Sequence, residues 1–168
     1  MKRVIALFCL IAFAISGCAG GDIAIKENVF VNQADIDDTY DVIVYASEPE
    51  GVAAAVSAAR NGMKTLLLSE DGALGGLMTL GELNFIDMCE GRDGTSLVEG
   101  IFREFYDMVG GSAFDITEAK NAFLALCENE DNLTLRTESH LAAPIMDGDE
   151  LLGVKMRETD GEKSYYAK

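Results

Sequence analysis

Between residues 41 and 70 the apolar positions change their period twice. The run "DVIVY" at 41–45 places apolar side chains on both faces, as a central strand of a parallel sheet requires. Val52, Ala55, Val56 and Ala59 then fall on one helical face, and their small side chains let a helix lie close to that sheet. Asn61-Gly62 ends the helix, and "KTLLLSE" at 64–70 is a second buried strand. Strand, helix and strand within about thirty residues make a βαβ unit with a right-handed crossover.

Further along, Leu97, Ile101, Phe105 and Met108 recur at helical spacing and predict a second helix. Asp115 and Glu118 have capping-box spacing ahead of Ile116, Ala119, Phe123 and Cys127, which predict a third. "NLTLRT" at 132–137 reads as a third parallel strand. Beyond it the period becomes two: "HLAAPIM", "LLGVKMRE" and "KSYYAK" are separated by "DGDE" and "TDGE", which are hairpin turns. The expected fold class is α/β, a Rossmann-like parallel sheet with helices and an inserted antiparallel meander. Such a chain would be incomplete at its C-terminus, because the first strand is left as an apolar open edge. A missing C-terminal half or a partner chain is expected to cover it.

The 168 residues are 49% hydrophobic and 25% charged with only 2 Pro, a composition that fits one globular domain. The start, "MKRVIALFCLIAFAISGC", joins a basic pair to an apolar stretch and small residues before a cysteine, which is an export signal too short for an ordinary membrane span. Its end resembles the bacterial lipoprotein processing site, and the resemblance implies lipidation of Cys18. Acyl chains contribute ~0.8 kcal/mol per buried CH₂ and would hold the domain at a membrane surface on the exported side. An ordinary cleaved signal with an incidental cysteine is the alternative. Residues 1–17 are therefore read as signal, 18–39 as lipidated cysteine and acidic tether, and 40–168 as the domain.

The net charge of −16 becomes more negative once Lys2 and Arg3 leave with the signal, which argues against nucleic acid as a partner. One histidine and no CxxC or HExxH spacing argue against a dedicated metal site. Cys89 and Cys127 remain as a possible exported disulfide, although Cys127 sits among apolar helix positions where a buried free thiol is commoner. His140 at a strand start reads as a surface or packing residue, and Tyr165-Tyr166 as alternating strand positions. No nucleophile–base pair is apparent.

Between the first strand and helix stands "YASEPEG", where a dinucleotide fingerprint G-x-G-x-x-G belongs. Ala46 and Glu48 occupy the first two glycine positions, and only Gly51 remains. The stretch "YDVIVYASEPEGVAAAVSAARNG", followed by "LGGLMTLGELNFID" at 74–87, resembles the FAD-dependent oxidoreductases of the two-dinucleotide-binding-domain type. It is most like an exported bacterial branch whose loop reads roughly "YDVVVYGGTPAGVAAA". The resemblance covers about residues 40–168 and implies a partial FAD-binding Rossmann-like domain. It also implies hydride transfer from a small-molecule substrate held largely elsewhere, with the redox chemistry belonging to the flavin.

On that resemblance the cofactor-binding candidates are Ala46, Ser47, Glu48, Gly51, Ser69, Glu70, Gly75, Gly76, Met78 and Thr79; no catalytic residue is named. Gly51 opens a helix whose free N–H groups and positive end face an anion. Glu70, roughly 20 residues on, is placed to accept ribose hydroxyls. Gly75 and Gly76 let backbone approach the cofactor, with Met78 and Thr79 beside them. Each has a bland reading: close packing for Gly51, a solvated residue for Glu70, a turn for the glycine pair. Glu48 opposes binding, since like charges about 4 Å apart repel by roughly 4 kcal/mol at an effective dielectric of 20. NAD in place of FAD, or a non-catalytic surface lipoprotein that keeps the frame without the cofactor, are the other readings.

Overall fold

The computed structural model describes residues 39–168. The signal at 1–17, Cys18 and the tether up to residue 38 lie outside the described residues. In chain order the elements are β1 (Thr39–Tyr40), β2 (Val42–Tyr45), α1 (Pro49–Arg60), β3 (Thr65–Leu68), α2 (Ile101–Val109), α3 (Ile116–Glu128), β4 (Leu133–Arg136), β5 (His140–Asp147), β6 (Glu150–Glu158) and β7 (Gly161–Ala167).

Strands β2, β3 and β4 form a parallel sheet in that order, with Val42 opposite Thr65 and Thr65 opposite Leu133. The central strand is β3, buried throughout, whereas β2 lies at the edge and is only half-buried. Among the described residues the first strand is thus the open edge that the sequence predicts. The apolar character of "DVIV" comes from being covered above and below, not from neighbours on both sides.

Helix α1 starts on Pro49, which has no N–H to leave unsatisfied, and ends at Asn61. Its Val52, Ala55 and Val56 pack with Leu67 of β3, and with Phe105, Ala119 and Phe123 from α2 and α3, in one core. The Asp115 carboxylate caps α3, accepting from the Thr117 and Glu118 N–H groups at 2.7 and 3.2 Å. In α2 the expected stripe is corrected. The helix begins only at Ile101, Leu97 and Met108 are 61% and 45% exposed, and Phe105 with Val109 carries the contact.

On the other face of the parallel sheet, Leu66 and Leu68 meet Tyr40, Met156 and Tyr165 in a second core. Period-2 alternation in β3 thus sends Leu67 to the helices and its neighbours to the meander. The meander is a sheet of its own, in the order β1-β7-β6-β5. Its hairpins follow the expected turns, and β1 joins β7 in parallel register, Thr39 opposite Tyr166. Thr39, read as the end of the tether, therefore belongs to the fold. Tyr165 and Tyr166 are both buried, with Tyr165 edge-on to Tyr40 at 6.2 Å. Cys89 and Cys127 are free, the first exposed and the second buried.

Candidate nucleotide-binding site

The βαβ turn places "YASEPEG" at the C-terminal end of the parallel sheet. The Ala46 N–H donates to the Leu68 carbonyl at 2.9 Å, holding the loop against β3. Glu48 is the N-cap residue of α1 in extended backbone, and its side chain makes no cap hydrogen bond, so that helix end has no side-chain acceptor. A Cβ on Gly51 would overlap the Ala46 methyl. Gly51 is thus required by the side chain at the first fingerprint position, whatever the loop binds.

The loop after β3 folds onto this turn. The Gly75 N–H donates to the Ser47 carbonyl at 2.7 Å, and the Ser47 and Ser69 hydroxyls are 2.9 Å apart. Gly75 and Gly76 have φ of +101° and +44°, in the region that favours glycine. A Cβ at Gly75 would strike Phe123 and Thr79, and one at Gly76 would overlap the Glu48 carboxylate. That carboxylate reaches over Gly76 and accepts the Leu77 N–H at 3.2 Å. Glu48, itself exposed, therefore bridges the two loops.

The other candidates divide by exposure. Ser69 and Thr79 are fully buried; the Ser69 hydroxyl donates to the Asp71 carbonyl at 3.0 Å and the Thr79 hydroxyl to the Leu74 carbonyl at 2.8 Å, so both brace the loops. Met78 lines an apolar cavity of about 310 Å³ among α1, α2 and α3, beside Pro49, Ile101, Phe102 and Phe105. Glu70 follows β3 and is exposed, with partners that sequence reasoning missed. The Tyr45 hydroxyl donates to its Oε2 at 3.0 Å, and His140 Nδ1 lies 3.2 Å from its Oε1. His140 first, then Tyr45, hold the Glu70 carboxyl below its ordinary range by these hydrogen bonds. Burial first, then the bond to Glu70, raise the Tyr45 phenol above its ordinary value. Tyr45 was legible as the last residue of β2, but nothing local to His140 signals that β5 starts beside the end of β3.

Residues 41–168 match the sequence profile of the family FAD dependent oxidoreductase. The chain belongs to this family. Its cofactor is FAD. No curated protein sequence gives a significant match. Among solved structures the chain is similar in fold to THI4 of Thermovibrio ammonificans, at 16% identity and TM-score 0.56, covering 77% of this chain and 55% of that one. It is also similar to the GidA-related protein of Thermus thermophilus, at 15% identity and TM-score 0.55, covering 76% and 49%. A third is the 3-ketosteroid-delta4-(5alpha)-dehydrogenase of Rhodococcus jostii, at 13% identity and TM-score 0.54, covering 78% and 44%. The chain spans about half the length of these proteins.

The residues present fit FAD at its nucleotide end. The α1 N-terminus has no side-chain cap and Glu70 is an exposed side chain held by Tyr45 and His140, whereas Gly75 and Gly76 make room for Phe123, Thr79 and Glu48 of this chain. Glu48 is the one misfit, a carboxylate on the backbone donor that bare glycine would leave free. Among the described residues no group of three or more His, Cys, Asp or Glu side chains is placed to hold a metal, and no helix is long and apolar enough to cross a membrane.

Proposed function

We propose that this chain is the nucleotide-holding portion of a FAD-dependent oxidoreductase that takes hydride from a small-molecule substrate. The observation that carries the reading is the convergence, at the ends of β2 and β3, of the uncapped α1 N-terminus and Glu70. When bound, FAD supplies the hydride-accepting ring. The N-terminal end of α1 faces the diphosphate with its positive dipole. Glu70 accepts the ribose hydroxyls of the adenosine. Substrate recognition falls to a further part of the chain or to a partner. Two features support that assignment: the edge of β2, unpaired on its outer side among the described residues, and the exposed Leu77, Leu80, Leu83, Phe85 and Leu97 of the loop beyond the glycine pair. Lipidation at Cys18 would place the enzyme on the exported face of a bacterial membrane, and a Cys18→Ala chain that still incorporates labelled palmitate would overturn that placement.

A second reading, a non-catalytic lipoprotein on the same frame, is favoured by the Glu48–Leu77 bond and by Ala46. A FAD titration separates the two. Saturable fluorescence quenching with a rise in melting temperature is expected, since ligand at a hundredfold its Kd stabilises by about 2.7 kcal/mol. A folded chain showing neither at millimolar FAD would leave the non-catalytic reading standing.

A further inference from the structure

Glu70 is an exposed carboxylate, 61% accessible in its side chain, yet both of its oxygens are engaged by donors from two other strands. Tyr45 closes β2 and His140 opens β5, so the pair reaches Glu70 from different sheets. The backbone fixes both approaches: Ser139 N–H donates to the Ser69 carbonyl at 2.9 Å, and Leu141 N–H to the Tyr45 hydroxyl at 3.4 Å. This arrangement does no evident work for the core, since Tyr45 and His140 are themselves exposed.

We propose that Tyr45 and His140 are positioning residues that hold Glu70 ready for a cis-diol of an adenosine ribose. The proposal rests on the nucleotide reading above. A carboxylate offers about four lone-pair directions, so one bond to each oxygen leaves acceptors for two ribose hydroxyls. A free surface glutamate would have to surrender its rotamer freedom when it binds, and here the two donors have already removed it. The ligand class is a nucleotide with both ribose hydroxyls free. Tyr45 and His140 set how strongly that feature is read without touching the ligand themselves.

The test compares ADP with 2′,3′-dideoxy-ADP on the full chain purified in detergent, for the wild type, Tyr45→Phe, His140→Leu and His140→Asn. Wild-type protein should prefer ADP. Tyr45→Phe and His140→Leu should each weaken ADP about threefold to tenfold and leave dideoxy-ADP unchanged, with partial recovery in His140→Asn, whose amide donates near the Nδ1 position. A merely structural role would weaken both ligands alike, and that result overturns the proposal. Variants that keep the full wild-type preference for ADP overturn it while sparing the nucleotide reading. A wild type that binds both equally overturns the proposal while sparing the nucleotide reading, and one that binds neither overturns the two together.

Discussion

Glu48 stands where a dinucleotide fingerprint carries glycine, and its carboxylate occupies the Leu77 N–H across the gap between the two loops. Removing its charge should strengthen FAD binding. Glu48→Gln keeps an acceptor for Leu77 and isolates the charge, while Glu48→Gly also frees the N–H; a gain of about threefold to tenfold is expected, larger for glycine and smaller at high salt. Isothermal titration at two salt concentrations checks it, and unchanged affinity in both variants would remove Glu48 from the account of binding. Ala46 and Gly51 form a steric pair, because a Cβ at 51 would overlap the Ala46 methyl. Gly51→Ala should destabilise by about 1–3 kcal/mol, and Ala46→Gly in the same chain should recover most of it. Urea midpoints of the single and double variants measure the coupling.

Three helices are tied together by one side chain at the level of elements. Arg60, the last residue of α1, donates from both Nη atoms to Glu104 of α2 at 2.7 and 2.8 Å, and from Nε to Glu130 just past α3 at 2.7 Å. Its side chain is 37% exposed, so solvent screening limits the worth of the network to about 0.5–1 kcal/mol. Arg60→Met should lower the melting temperature by a few degrees. The pH dependence has a defined sign. Arg60 holds the Glu104 carboxyl below its ordinary 4.5, so the stability is fully present above that value and is lost as pH falls through the folded pKa. The gap in urea midpoint between wild type and Arg60→Met should therefore narrow below pH 4.5; a gap constant down to about pH 3 would rule the ion pair out as its source. None of this network was legible from spacing, because its three members are far apart in the chain. The Asp115 cap was legible, since capping needs only neighbours in sequence.

Taken as a whole, the molecule is three layers, helices on a parallel sheet on an antiparallel sheet, with apolar surface left beside the glycine loop. Leu83→Ser with Phe85→Ser should reduce concentration-dependent light scattering and leave the melting temperature within a few degrees, because both side chains are more than half exposed. Unchanged scattering would assign self-association to the β2 edge instead. The strands, the first helix, the α3 cap and the hairpins were determined by the sequence alone, since period, caps and turns act over a few residues. So was the family, carried by "YDVIVYASEPEGVAAA" and "LGGLMTLGELNFID" at their spacing. Only the tertiary structure decided that β1 closes the meander, that Glu48 turns onto Leu77, and that Tyr45 and His140 meet at Glu70. Each of these depends on which strand ends come together. That is a property of how the layers pack, and no local period encodes it.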